Sequence, residues 1–297
     1  MIAAKRRASG GALPIKASIF SLIGALLLIA CAPVNLLNTL TPSGSFSKSS
    51  DVSYGELGRQ NLDIYKAKLP KANSPVIVFL HGGSWRMGSK DIYKFIAEAF
   101  TSEGFDVVVP NYRLYPEVRF PDMIVDTAKA FSFITRQYPD RPLVIIGHSA
   151  GAYNALMTTM DKSYLVAEGI AACDHIAGLI SLAAPTGAYE LKKEPYITIF
   201  PDRFQSMDAP LAHVAAPVPS LFVMNGADDT TVGPKNAEDL TAAVQARGGH
   251  AVLKIYDGFD HIDAVKRLSR HFDGGTTYKA DILDFIDGLP KNGNFCR

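Results

Sequence analysis

Cysteine is scarce, with three residues in 297. Three thiols cannot staple a small core-poor fold together, so a disulfide-framework protein is excluded. An excess of one charge is also missing. Thirty Lys and Arg face 29 Asp and Glu, a net charge of +1, so composition offers no broad basic surface and no nucleic-acid partner is expected. The apolar stretch Ala17–Ala30 stops at fourteen residues, short of the about 20 that a membrane-spanning helix needs. There is no internal repeat and no H-E-x-x-H, and the seven histidines are too scattered to suggest a zinc set. What remains is a chain that is 47% hydrophobic and 20% charged, which excludes a disordered tail or a collagen-like repeat.

The charge balance hides an asymmetry. Lys5, Arg6, Arg7 and Lys16 are the only charged residues among the first thirty, which leaves 26 basic against 29 acidic groups in the rest. A positive segment followed by a short apolar run reads as a secretory signal peptide over residues 1–30; a single N-terminal membrane anchor is the alternative. At the end of the run, Leu28-Ile29-Ala30-Cys31 resembles the bacterial lipoprotein box, in which the chain is cut before a cysteine that takes up lipid. The resemblance implies lipidation at Cys31 and attachment to the cell envelope, with Ala32 in the next position favouring the outer membrane. Residues 31–50, with Pro33, Pro42, Gly44 and many Ser and Thr, read as a flexible tether. A catalytic domain is then expected over 51–297. Cys173 and Cys296 stand 123 positions apart, and sequence leaves open whether they are bonded; the chain after Gly288 reads as a loose tail.

Short Val- and Ile-rich runs recur at Val76–Leu80, Phe105–Val109, Leu143–Ile146, Ile176–Ala183, Leu221–Met224 and Ala251–Tyr256, as strands buried on both faces do. Amphipathic stretches at Asp91–Ser102, Pro121–Tyr138, Ser149–Met160, Lys235–Arg247 and Lys279–Phe285 lie between and after them. This alternation predicts an α/β fold with a mostly parallel central sheet and helices on both faces. Asn61–Tyr65 reads as an antiparallel edge strand. The proline-rich stretch 184–217 is a long excursion, expected over the ligand end of the strands.

Gly147-His148-Ser149-Ala150-Gly151 is a GxSxG sequence set between a strand and a helix. The flanking glycines permit the tight turn that lifts a serine hydroxyl out of a sheet. That hydroxyl needs a base. His148 adjoins it, but the turn directs neighbouring side chains apart, so His148 reads as a packing or hydrogen-bonding residue. His81-Gly82-Gly83-Ser84-Trp85 follows another strand. Its glycine amides can approach a substrate, so Gly82 and Gly83, with the Ala150 amide, are candidate oxyanion donors; His81 reads as a brace for the turn. His261, directly after the last strand, is the candidate base. Asp228 and Asp229 both follow the Leu221–Met224 strand, and position alone does not choose between them as the orienting acid.

These motifs together resemble the α/β-hydrolase superfamily, in its esterase and lipase branch with an HGG loop, near the hormone-sensitive-lipase-like and feruloyl-esterase-like carboxylesterases. In that family a glycine, two spacers, the acid, two spacers and a valine recur after the penultimate core strand. Gly226, Asp229 and Val232 fit, so the resemblance implies Asp229. It also places the nucleophile at Ser149 and the oxyanion glycines at Gly82 and Gly83. Asn111-Tyr112-Arg113-Leu114-Tyr115-Pro116 resembles the family's D-Y-R-L-x-P stretch, with Asn111 replacing the usual aspartate. Asp126 is expected to partner nearby loops.

The expected function is carboxylic-ester hydrolysis through an acyl-enzyme formed by Ser149, Asp229 and His261, with no cofactor or metal, a small-molecule ester as substrate, and the membrane reached only through the lipid anchor. The same residues would serve an amidase, an arylformamidase or a peptidase. A catalytically silent envelope binding lipoprotein is the alternative from another class. Trp85, Tyr112, Tyr153 and Tyr189 could line a pocket or be ordinary core.

Overall fold

The structure, a computed structural model, describes residues 37–187, 196–201, 209–291 and 293–296. The signal segment and Cys31 therefore lie outside the described residues, as does Tyr189.

Eight strands form one sheet in the order β1-β2-β4-β3-β5-β6-β7-β8. They are β1 (Phe46–Ser53), β2 (Asn61–Ala67), β3 (Val76–Leu80), β4 (Val107–Pro110), β5 (Leu143–His148), β6 (Ile176–Leu182), β7 (Ser220–Gly226) and β8 (Ala251–Tyr256). β1 and β2 pair antiparallel, and β2 meets β4 antiparallel. From β4 to β8 every pairing is parallel. The main helices are α1 (Lys94–Thr101), α2 (Asp122–Gln137), α3 (Ala150–Met160), α4 (Lys235–Gln245) and α5 (Tyr278–Asp287). This is the α/β-hydrolase architecture that the resemblance implied.

The strand side chains alternate between two cores, as a period of two requires. Ile77, Phe79, Val107, Val109, Val144, Ile146, Phe222 and Met224 join one apolar cluster with α1 and α5. Val76, Val78, Leu80, Val108, Leu143, Ile145, Leu221 and Val223 join the other with α2, α3 and α4. Burial on both faces explains why these strands read as unbroken apolar runs rather than as alternating ones.

Three expectations need correction. The folded part does not begin at residue 51. β1 starts at Phe46, and Leu37 is already 1% exposed in the core. The strand was hidden because only Phe46 of its eight residues is fully buried; backbone pairing with β2, not hydropathy, holds it. For the same reason Asn61–Tyr65 is not the edge. β2 lies between β1 and β4, and β1 is the edge strand. The tail after Gly288 is also tied down. Cys173 and Cys296 form a disulfide, Phe295 is buried and donates its amide to the Cys173 carbonyl at 2.7 Å. Among the described residues, no helix is long and apolar enough to cross a membrane.

Candidate active site

β5 ends at His148 and α3 begins at Ala150, so Ser149 occupies the turn alone. Its φ of +52° is a conformation that a non-glycine residue holds at a cost of about 1–3 kcal/mol. Neighbouring packing enforces it. A Cβ on Gly147 would lie 2.4 Å from the Ala152 Cα, and one on Gly151 would lie 2.2 Å from the Leu80 carbonyl oxygen. Only glycine at both flanks lets the turn close against β3. The Ser149 amide donates to the Leu182 carbonyl of β6 at 2.9 Å, which fixes the turn to the sheet.

Ser149, His261 and Asp229 come from the ends of β5, β8 and β7 and meet in one hydrogen-bonded line. Ser149 Oγ is 2.9 Å from His261 Nε2, and His261 Nδ1 is 2.8 Å from Asp229 Oδ2. The other Asp229 oxygen accepts the amides of Thr231 and Val232, each at 2.8 Å. Burial pushes the Asp229 carboxyl upward, but the His261 bond and charge, with the two amides, outweigh it and hold the group below the usual carboxylate range. Asp228 is exposed and Asp229 is buried, so the two aspartates that position could not separate occupy different environments. The loop bearing His261 is braced by Asp260, whose Oδ1 accepts the Ile262 and Asp263 amides at 2.8 and 2.7 Å. Gly226 lets this loop approach β7, because a Cβ there would meet the Phe259 carbonyl oxygen at 2.0 Å.

Gly82 lies against the serine. A Cβ on it would sit 3.2 Å from Ser149 Cβ and 2.9 Å from His148 Nδ1. Gly83 takes φ +126°, followed by Ser84 and Trp85 at +53° and +56°. Three successive positive φ values bend the loop sharply at the end of β3. Ala150 opens α3, so its amide is one of the group that a helix leaves without an intrahelical acceptor. Amides of this kind beside a serine can stabilise a developing oxyanion.

The two histidines set aside as bases are buried supports. His148 Nε2 donates to the His261 carbonyl at 3.0 Å. Burial, then the neighbouring His261, lowers its pKa to about 3, so its ring is neutral. His81 stacks on Tyr112 with ring centroids 4.5 Å apart, and burial lowers its pKa to about 4. Tyr112 OH in turn donates to the His81 carbonyl at 2.7 Å.

Sequence reasoning did not find Asn154 or Arg59. Asn154, one turn into α3, accepts from Trp85 Nε1 at 2.8 Å. Arg59, in the β1–β2 turn, donates to the Tyr112 and Gly88 carbonyls. Neither lies in a motif, and only the fold brings them to the HGG loop. Trp85, Tyr112 and Tyr153 are all buried, and Phe200 packs on Trp85 at 4.8 Å. The described part of the excursion therefore covers the flank of the HGG loop. Arg113 forks onto Asp126 through Nε and Nη2, both at 2.8 Å, and Asn111 accepts the Lys90 amide. Among the described residues, no group of three or more His, Cys, Asp or Glu side chains is placed to hold a metal ion.

Comparisons with known proteins agree on this frame. The BD-FAE family model matches residues 62–244, which include Gly82, Gly83, Ser149, Ala150 and Asp229 and end before His261. A probable isoprenylcysteine alpha-carbonyl methylesterase of Oryza sativa subsp. japonica is 28% identical over 240 residues, covering 71% of this chain and 56% of the plant protein. The chain spans about half the length of the methylesterases that it matches. A kynurenine formamidase of Danio rerio is 25% identical over 226 residues, covering 73% of this chain and 76% of the fish protein. Among solved structures, esterase B from Lactobacillus rhamnosis superposes with a TM-score of 0.76 at 15% identity, over 92% of this chain and 96% of that one. At that identity the likeness concerns the fold.

Proposed function

The chain belongs to the BD-FAE family, and from that premise we propose that it is a serine hydrolase that cleaves carboxylic esters through an acyl-enzyme. The observation that carries this reading is the unbroken line from Ser149 Oγ through His261 to Asp229. With Nδ1–H given to Asp229, the His261 Nε2 lone pair faces the serine. Ser149 Oγ attacks the ester carbonyl carbon and its proton passes to Nε2. The carbonyl oxygen takes the negative charge, held by the amides of Gly82, Gly83 and Ala150. The intermediate collapses, and Nε2 returns the proton to the departing alkoxide. Water then attacks the acyl-serine by the same route, which frees the acid and restores the hydroxyl. Asp229 stays ionised and stabilises the imidazolium. None of these steps draws on a cofactor.

A fluorophosphonate, which labels activated serines, tests the reading. The wild type should become labelled and should hydrolyse p-nitrophenyl acetate, and Ser149→Ala should do neither. An unlabelled wild type would instead support the silent envelope lipoprotein.

The kynurenine formamidase relative favours a second reading, in which the same residues attack a formamide. Parallel turnover of p-nitrophenyl acetate and an aryl formamide separates the two.

The export reading is part of the proposal: residues 1–30 a signal peptide, Cys31 lipidated, and the domain held at the bacterial cell envelope, with the outer membrane favoured. The Cys173–Cys296 disulfide supports it, because such bonds persist in oxidising compartments. Changing Cys31 to serine should move the protein from the membrane fraction to the soluble one.

A further inference from the structure

We infer that the docked segment 37–41, a few positions after Cys31, fixes how the enzyme sits on its membrane, with the catalytic end of the sheet turned toward the bilayer and membrane-embedded amphiphilic esters as the favoured substrates. The inference rests on the lipidated-Cys31 reading of the proposed function.

The segment 37–41 is docked on the start of α1. Leu37 is 1% exposed, in the cluster that holds Tyr93, Phe95 and Ile96. Asn38 Oδ1 accepts the amide of Lys94, the first residue of α1, at 2.7 Å, and Asn38 Nδ2 donates to the Asp91 carbonyl at 2.6 Å. Lys94 Nζ donates to the Thr41 carbonyl at 2.6 Å. The start of α1 lies at the carboxyl end of the parallel strands, because the helix follows β3 and returns the chain to the start of β4. Ser149, Asp229 and His261 lie at that same end. The chain then descends along α1, and Ser45 Oγ meets Thr101 Oγ1, at the far end of the helix, at 2.8 Å. The Asn38 anchor is also close to the chemistry. Tyr93, between Asp91 and Lys94, stacks toward His81 at 6.1 Å, and His81 precedes Gly82.

Cys31 is six positions ahead of Leu37, so it can lie no more than about 20 Å from the docked segment. A domain of this size is about 45 Å across. A tether that short, leaving the catalytic end, cannot let the domain stand on the opposite end of the sheet, which would lift the docked segment about 45 Å above the membrane. Exposed apolar side chains do not settle the orientation by themselves. Leu57, in the β1–β2 turn at the catalytic end, is 45% exposed, whereas Leu69, beyond β2 at the opposite end, is 86% exposed. The tether decides, and it overrides the larger apolar group.

The test uses the full-length lipidated protein in vesicles of phosphatidylethanolamine and phosphatidylglycerol that carry a headgroup-labelled quencher. A fluorophore is placed at Leu57→Cys or at Leu69→Cys. Quenching should be several-fold stronger at position 57. Inserting about 30 Gly and Ser residues between Pro33 and Val34 gives a slack of about 30 Å and should remove the difference. It should also lower turnover of a vesicle-embedded fatty-acyl ester relative to p-nitrophenyl acetate. Equal or reversed quenching in a bound protein overturns the orientation alone, as does a difference that survives the insertion. A wild type that stays soluble, behaving like Cys31→Ser, overturns the anchor and the orientation together.

Discussion

The imidazole of His148 donates to the backbone carbonyl of His261 at 3.0 Å, so the residue before the candidate nucleophile holds the loop that carries the candidate base. The two rings lie 5.0 Å apart between centroids. On the proposed mechanism, His148 is a positioning residue. It touches no reacting atom, but it ties the end of β5 to the loop after β8.

His148→Phe keeps the buried ring and removes the bond. The expected result is a fall in kcat of about 10-fold, with KM nearly unchanged and a displaced pH profile of kcat/KM as the His261 loop relaxes. Steady-state kinetics across pH would show it. A loss confined to thermal stability would reduce His148 to a packing role.

The acid is tested by a pair of variants. Asp229→Asn should lower kcat by about 10³–10⁴-fold, because the amide favours the wrong imidazole tautomer. Asp228→Ala should leave kcat within about two-fold, as expected of an exposed side chain. Equal losses in both would undo the assignment.

Gly82 and Gly83 should fail in different ways. Gly82→Ala places a methyl 3.2 Å from Ser149 Cβ and 2.9 Å from His148 Nδ1. Its loss should appear mainly in kcat, by about 10²-fold, with a smaller fall in melting temperature than Gly83→Ala causes. Gly83→Ala demands φ +126° of alanine and sets the methyl 2.1 Å from the Met87 carbonyl oxygen, so it should lose stability as well. Melting curves beside kinetics distinguish the two.

His81 and His148 predict how stability depends on pH. Burial lowers their folded pKa values to about 4 and about 3, whereas an unfolded histidine titrates near 6.5. Below about pH 6.5 the unfolded chain binds protons that the native state refuses, so unfolding becomes easier as pH falls. Their contribution is complete above that pH and declines toward the folded values, by on the order of 3 kcal/mol each at about pH 4. Urea melts from about pH 7 to about pH 4 should show the decline, and His148→Phe should flatten it.

Reduction of Cys173–Cys296 should lower stability by about 2–4 kcal/mol and leave turnover at room temperature unchanged. Cys173 precedes β6 and so lies at the opposite end of the sheet from Ser149. Cys296→Ser should reproduce the effect, as read by melting temperature with and without reductant.

Much of this was legible in the chain itself. Five buried strands announced themselves because a strand covered on both faces must be apolar throughout. Gly147 and Gly151 marked the turn because no other residue fits between β3, β5 and α3. These demands fall on runs of neighbouring residues, even where the constraining atom is distant, as the Leu80 carbonyl is for Gly151, and sequence records them directly. Other features depend on what lies opposite in space. β1 is polar and exists through its pairing with β2. Their place after the strand does not separate Asp228 from Asp229, and it is the fold that buries Asp229 against His261. The Cys173–Cys296 bond, the His148–His261 contact and the docking of Asn38 on α1 each join residues dozens to more than a hundred positions apart. Such partners carry no periodic signal of their own, and only the closed sheet with its packed helices brings them within bonding distance.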